Sequence, residues 1–529
     1  MHRLPRILFF LLLVHFAGCS KCVTARGPQD IAQYIPATAQ AALVVPDLGR
    51  LSAKLKVLME LKVVTAVLAL QGLPPASEYF SQLMLQLGVD LRSVEGMETA
   101  GLDSKGGVAL VLIDPEDGYL IVSVRDERRL RTTLQAIARN RLGVDGVYEA
   151  KEGGGTVTWF AQGASAPPAL GFVIKDAVAY IATGGLVTRL PAVCSRAPKE
   201  SLAHDASLSA ALSRLSNERD FYVRLSPNNG WIREPLLAGA TFAVSLSNEA
   251  LKVQADLPLQ PPLPLGEGRG EGSSSLELLP SDAFLVARLG KSTNLFDRLL
   301  GTVLGEYLQR AKSQSGLDFQ AEVLGNLKSD VWIGLSLAPT ATLPRLMAIE
   351  ARRANPFHIV KLVGVAEVKD AAAARQTLEK LPAVAPAFGA LVTPSERKGR
   401  KVFLTSYPRG EGLHFALADG KAIAASPTAE LDETLDRVDH PPPKGEGPLE
   451  SGLRTILMQG SPAVVVDVRR LSFALKSLPS SAWGVGGFAV KKSVELWLDA
   501  VSEVRAITLT VSNRSEAIDG ELALRFSVP

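Results

Sequence analysis

The chain repeats itself, with similar stretches recurring about 244 residues apart, and repetition at that distance predicts two copies of one folding unit. Ile35-Pro36-Ala37-Thr38 opens the apolar run Ala41 to Val45, and Leu279-Pro280-Ser281-Asp282 opens the run Ala283 to Ala287. A helical stretch follows each. In the second copy Phe296, Leu299, Leu300, Val303, Leu304, Tyr307 and Leu308 form one apolar stripe at helical spacing, whereas Leu51 to Leu70 is apolar on more sides and predicts a more deeply buried helix. Gly88-Val89-Asp90-Leu91 then corresponds to Gly316-Leu317-Asp318-Phe319, and each leads into a β-rich run, Val108 to Leu112 and Val331 to Leu337. Val124-Arg125-Asp126 aligns with Val368-Lys369-Asp370, where each aspartate is placed to cap the helix that follows. Phe172 to Asp176 pairs with Phe415 to Asp419, ahead of the runs Ala177 to Ala182 and Ala422 to Ala425, and Asp419-Gly420 signals a hairpin. Phe221 to Leu225 matches Val464 to Val468, and Ser247-Asn248 matches Ser512-Asn513 as turns between closing strands.

Strand, helix, strands, helix and strands in that order predict an α+β fold. Each copy reads as a mainly antiparallel, twisted sheet with helices on one face and ferredoxin-like elements in its middle. The first repeat covers 35–259, with a larger part at 35–190 and a strand-rich part at 217–259; the second covers 279–529, with a larger part at 279–439 and a strand-rich part at 451–529. Pro/Gly/Ser-rich residues 260–278 join the copies, and 440–450 (with His440-Pro-Pro-Pro-Lys) reads as a linker inside the second.

Charge narrows the partners. The 57 basic residues nearly balance the 54 acidic ones, which argues against a nucleic-acid partner needing a basic face. With 3 cysteines (Cys19, Cys22 and Cys194) neither a disulfide framework nor a four-thiolate zinc site can be built; an oxidising envelope leaves a Cys22 to Cys194 bridge open. At the start, basic Arg3 and Arg6 precede the apolar run Ile7 to Val14, then the small residues Ala17 and Gly18 and Cys19. These are the parts of a signal peptide over residues 1–18, and the apolar run falls well short of the roughly 20 residues that span a bilayer.

Phe16-Ala17-Gly18-Cys19 resembles the bacterial lipobox, in which the cysteine is acylated and becomes the first residue of the mature chain. Phe16 stands where that family usually carries Leu, and ordinary signal cleavage nearby is the alternative reading. The resemblance implies lipid attachment at Cys19, a tether over 19–34 reaching about 50 Å at most, and, from Ser20 after the cysteine, sorting to the outer membrane of a Gram-negative envelope. The side of that membrane, periplasmic or surface, stays open. Leu-Pro-Ser-Asp-Ala, with its later Gly-Leu-Asp-Phe, looks like a group of uncharacterised extracytoplasmic bacterial proteins whose repeats begin Leu-Pro-Ala-Asp; Ile35-Pro36-Ala37-Thr38 lacks that Asp.

His204, His358, His414 and His440 make no His-Glu-x-x-His pair and accompany no Gly-x-Ser-x-Gly elbow; His414 reads as a strand residue and His440 as linker. Ser395 and Lys398 have the Ser-x-x-Lys spacing of penicillin-binding enzymes without the partner motifs, and read as a loop. Gly266 to Gly272 lacks the Gly-Lys-Ser/Thr ending of a phosphate loop, and Asp114, Glu116 and Asp117 read as a hairpin turn rather than a calcium loop. Trp159, Trp231, Trp332, Trp483 and Trp497 read as core or interface. The sequence thus predicts no catalytic, cofactor-binding or metal-binding residues. It points to a non-enzymatic binding or scaffolding protein held at a membrane by its N-terminal lipid, with an envelope protein as partner. A carrier of an acyl or other apolar ligand under Leu51 to Leu70 is the alternative, and an enzyme of unrecognised type the third reading.

Overall fold

The computed structural model describes residues 30–527 apart from several stretches, chief among them 83–89, 229–236, 259–272, 291–308 and 346–354. Two compact units divide the chain at Gln260 and Pro261, with Glu516–Asp519 grouped with the first. Both mix helices with antiparallel strands, an α+β architecture.

The first unit contains β1 (Ala41–Val45), β2 (Val108–Leu112), β3 (Gly118–Ser123), β4 (Gly146–Glu152), β5 (Gly155–Ala161), β6 (Leu170–Lys175), β7 (Val178–Ala182), β8 (Phe221–Leu225), β9 (Thr241–Leu246) and β10 (Ala250–Pro258). They form one antiparallel sheet in the order β10-β9-β8-β1-β2-β3-β7-β6-β5-β4. The strand-rich part at 217–259 joins the same sheet, because β8 pairs directly with β1. A ferredoxin-like split βαβ would place a strand between β1 and β2, yet Leu43 lies opposite Leu110 in direct pairing.

Both faces of the middle strands of this sheet, β2, β3 and β7, are buried, which corrects the expectation of helices on one face. Val108, Leu110, Leu120 and Val122 point into a core with Leu48, Leu51, Met97, Leu130, Leu134 and Ala138. Their neighbours Ala109, Val111, Tyr119 and Ile121 point the other way, against Ile31, Leu186, Val187, Leu190, Val193 and Leu208. A strand buried on both faces reads as a continuous apolar run, as these do. The first set of covering residues comes mainly from the helix Leu48–Glu60 and the helix Glu127–Leu142, whose Leu130, Leu134 and Ala138 recur every fourth residue. The apolar run from Leu51 divides at Leu61 into that first helix and a second, Lys62–Leu70, where Val63, Val64 and Ala66 are half-buried rather than deeply buried. Asp220, buried ahead of β8, ties the first helix down through Arg50 at 3.2 Å and Lys54 at 2.9 Å, and accepts the Leu246 N–H at 2.7 Å.

The second unit contains β11 (Leu285–Leu289), β12 (Val331–Leu337), β13 (Val360–Glu367), β14 (Leu391–Arg397), β15 (Arg400–Tyr407), β16 (Gly410–Glu411), β17 (His414–Ala418), β18 (Lys421–Ser426), β19 (Ala463–Asp467), β20 (Val504–Asn513) and β21 (Ala517–Phe526). Its sheet runs β20-β19-β11-β12-β13-β18-β17-β15-β14, with the short β16 pairing beside β15. Position by position this is the order β9-β8-β1-β2-β3-β7-β6-β5-β4 of the first unit. Trp332, Val363, Val365, Ile423, Val402 and Val465 point to one face and pack against Leu431, Leu435, Leu453 and Leu457 from the helices Thr428–Asp439 and Ser451–Gln459. The part at 451–529 is not all strand, since the helices Val468–Ser477 and Gly487–Val501 stand between β19 and β20. The stripe from Phe296 to Leu308 lies outside the described residues, as do Gly88, Val89 and Leu91.

The tether read over 19–34 and the linker read over 260–278 each give way early to folded chain. Asp30 caps the helical turn Ile31–Tyr34, and Ile31 is 1% exposed; in the second unit Leu276 is 1% and Leu279 2% exposed, following the turn Ser273–Leu276. A single apolar residue on one helical turn carries no periodicity, which is why the sequence gives no warning of it.

Local chemistry repeats between the units. Asp126 accepts the Arg129 N–H and Asp370 accepts those of Ala372 and Ala373, each capping its helix at a gain of about 1 kcal/mol. The preceding Val124 and Val368 donate to the carbonyls of Ala177 at 2.8 Å and Gly420 at 2.9 Å. Those acceptors are the second residues of matching two-residue hairpin turns, Asp176-Ala177 at φ 53° and 60° and Asp419-Gly420 at 47° and 71°. Alanine is strained in the left-handed region and glycine is not. Ala177→Gly should therefore stabilise the first unit, and Gly420→Ala destabilise the second, each by about 0.5–1 kcal/mol after allowing for glycine's unfolded-state entropy. Urea unfolding of the two variants reads this directly; a destabilised Ala177→Gly protein would contradict the turn geometry.

Candidate functional site

The described cleft lies in the first unit and has a volume of about 550 Å³. Three segments wall it: 37–40 leading into β1, 199–207, and 226–228 leaving β8. Backbone bonds hold them together, since Ala37 N–H donates to Glu200 O at 2.9 Å, Leu202 N–H to Ile35 O at 2.7 Å and Ser226 N–H to Gln40 O at 2.8 Å. Lys199, His204, Asp205 and Ser207 supply polar groups to the wall.

Asp205 is the centre of this cluster. Its carboxylate caps the helix Ala206–Arg214 by accepting the Ser207 N–H at 2.8 Å and the Leu208 N–H at 3.3 Å. The Ser207 hydroxyl donates to it at 2.6 Å, and buried Arg224 reaches it at 3.3 Å from below. Arg224 is itself 4% exposed and spends its remaining donors on Ser207 Oγ, Gly239 O and Thr241 Oγ1. Burial works to raise the Asp205 pKa, but the Ser207 hydroxyl, the Arg224 charge and the two backbone N–H groups together hold it below the usual carboxylate value. His204 Nδ1 lies 3.3 Å from Ser201 Oγ, with Ser201 4% exposed. These bonds fix a loop against a helix N-terminus. Lys199 and His204 are both exposed where they line the cleft.

The second unit holds another histidine cluster, which sequence reading placed only as a strand residue. His414, on β17 and 2% exposed, accepts the Thr405 N–H through Nδ1 at 3.0 Å, so its proton sits on Nε2. That nitrogen faces Glu411 Oε2 at 3.3 Å and Thr428 Oγ1 at 3.0 Å. Glu411 also accepts the Thr428 N–H at 2.8 Å and the Thr428 hydroxyl at 3.0 Å. Burial would raise the Glu411 pKa, yet these three donors hold it low. A histidine already protonated on Nε2 cannot take the threonine proton, so the trio acts as a cap for the helix Thr428–Asp439.

The remaining sequence candidates fall into structural places. Ser395 is in strand β14, not in a loop, and Lys398 occupies the tight turn to β15, paired with Asp436 at 2.9 Å. Asp114 accepts the Asp117 N–H at 2.8 Å inside the β2–β3 turn. Trp332 is 0% exposed in the second core, Trp159 stacks on Tyr148, and Trp231 lies outside the described residues. Cys194 is a buried free thiol, whose pKa burial pushes up to about 12 against the pull of Lys175. Cys19, Cys22 and Gly266 to Gly272 lie outside the described residues. Among the described residues no three His, Cys, Asp or Glu side chains gather as metal ligands.

Because the folded Asp205 carboxyl titrates below its unfolded value of about 3.9, its contribution is complete above that pH and is lost as pH falls through the folded value. Asp205→Asn keeps the cap but removes the charge facing Arg224, and should cost about 2 kcal/mol at neutral pH. In urea titrations the gap between the two proteins should close as the pH drops below about 4; a gap independent of pH would contradict the charge-assisted bond.

Comparison with known proteins adds little. No family model matches the chain, and no curated protein matches it. Among solved structures it is similar to crystal form I of TP0453, at 10% identity, over 47% of this chain and 77% of that one, with a TM-score of 0.23, a likeness too slight to carry an argument.

Proposed function

We propose that the chain is an exported envelope protein, anchored by acyl groups on Cys19 and built as a tandem duplication of one α+β unit, with a non-enzymatic binding or scaffolding role. The observation that carries the location is the basic, apolar and small-residue leader ending in Phe16-Ala17-Gly18-Cys19. Each buried methylene of an acyl chain is worth about 0.8 kcal/mol, so several chains on one cysteine hold a folded domain at a bilayer.

Support for duplication comes from topology and from side chains together. Nine strands follow one order in both units, and the same Val-basic-Asp segment ends a strand, bonds to the turn between two later strands and caps a helix in each. The binding role rests on how the polar clusters are spent. Asp205 with Arg224, and Glu411 with His414, hold helix ends in place, so recognition by surface is favoured over bond-making chemistry.

Expression of the full chain in a Gram-negative host with labelled palmitate tests the anchor. The label should enter the protein and the protein should fractionate with outer membranes, while Cys19→Ala should lose the label and its cleavage at the lipobox. An unlabelled wild-type chain released freely into the periplasm would refute the proposal.

A further inference from the structure

The first unit joins β8 to β9 with 15 residues (226–240), whereas the second joins β19 to β20 with 36 (468–503). The extra length forms a helical hairpin, Val468–Ser477 and Gly487–Val501, bridged by the turn Ser480–Trp483. Its inner side is anchored, with Val468 at 7%, Ala482 at 5%, Trp483 at 7% and Leu498 at 3% exposure. Its outer side is not. Phe473 is 76%, Phe488 73%, Leu496 67% and Trp497 39% exposed, and three of these stand among the four most exposed large apolar side chains in the described residues, beside Leu391 at 68%.

Helical spacing gathers them. Phe488, Lys492 and Leu496 follow one another every fourth residue along one helix, and exposed Arg469 sits one turn before Phe473 on the other. The hairpin is also richer in basic than in acidic residues. Of the five basic residues in 468–501, Arg470 pairs with Asp467, Lys476 with Asp499 and Lys491 with Glu495, which leaves Arg469, donating to the Ser527 hydroxyl at 2.8 Å, and Lys492 as the cations beside the exposed apolar side chains.

We propose that this hairpin lies flat on an anionic lipid surface, with Phe473, Phe488, Leu496 and Trp497 entering the boundary between headgroups and acyl chains and Arg469 and Lys492 meeting lipid phosphates. Exposed aromatic and leucine side chains flanked by lysine and arginine are the composition of a helix that rests in that interface. The alternative of crossing the bilayer fails on length and polarity, since no helix among the described residues is long and apolar enough to span it. A protein partner would also cover the apolar side chains, but it gives no reason for the placing of Arg469 one turn before Phe473 and of Lys492 between Phe488 and Leu496. This surface is independent of acylation at Cys19, so it survives even if the anchor reading falls.

Hydrogen–deuterium exchange of the chain from Ser20 onward, which carries neither the apolar leader nor Cys19, separates the two. With vesicles of phosphatidylethanolamine and phosphatidylglycerol, exchange in peptides from 468–501 should slow severalfold, and phosphatidylcholine vesicles should give much less. The triple variant F473S/F488S/L496S should lose the protection, and K492Q should weaken it while leaving the urea unfolding of the chain unchanged. Exchange in 468–501 that ignores the vesicles overturns the proposal, as does protection that tracks protein concentration without lipid, the mark of a second copy on this face.

Discussion

Each unit depends on its opening strand being held on both sides at once. β1 takes β2 on one edge and β8 on the other, and β11 takes β12 and β19, so a strand near the start of the unit and one near its end must both arrive before the sheet is continuous. The intervening chain builds the helices and the far arm of the sheet. Asp220 and Arg288 show how the closure is secured: the first joins β9 and the helix Leu48–Glu60 beside β8, and the second, buried on β11, pairs with Asp330 at 2.7 Å and donates to Met458 O at 3.0 Å. Removing one partner of such a buried pair typically costs about 3–5 kcal/mol, because the other charge is stranded.

From that closure follows the use of both sheet faces in the first unit. Alternate residues of β2 and β3 enter two separate cores, and the loops that cover the second core also wall the polar cleft around Asp205. The cleft is thus a by-product of how the 199–207 segment docks on the entrance to β1. Where the second unit departs from the first, at the hairpin between β19 and β20, the sheet does not require the added residues, and there the apolar surface turns outward.

Much of the local structure was legible from residues alone. Ala41 to Val45, Val108 to Leu112, Val331 to Leu337 and Phe221 to Leu225 match β1, β2, β12 and β8 end for end, because short apolar runs bounded by turn residues have few other solutions. Asp126 and Asp370 cap as their spacing implies, since capping needs only one carboxylate and the next turn of backbone. What escaped the sequence is non-local. Nothing in Phe221 to Leu225 says that it pairs with residues some 180 positions earlier, and hence the strand-rich ends looked like separate parts. The His414 cluster escaped for the same reason, its three members meeting across a strand hairpin and a helix start. The hairpin helices escaped through their own mixed pattern, where apolar residues face both inward and outward and blur the stripe.

Cross-strand disulfides test the closure most directly. Adjacent register positions alternate between wide and narrow pairs, so of the double variants Val286→Cys with Val465→Cys and Ala287→Cys with Val464→Cys, one brings its thiols close enough to bond. Mild oxidation of the folded protein should link β11 to β19 in one of the two, seen as a single crosslinked peptide by mass spectrometry. Two folded variants that both stay reduced would contradict the claim that each unit closes its sheet on its opening strand.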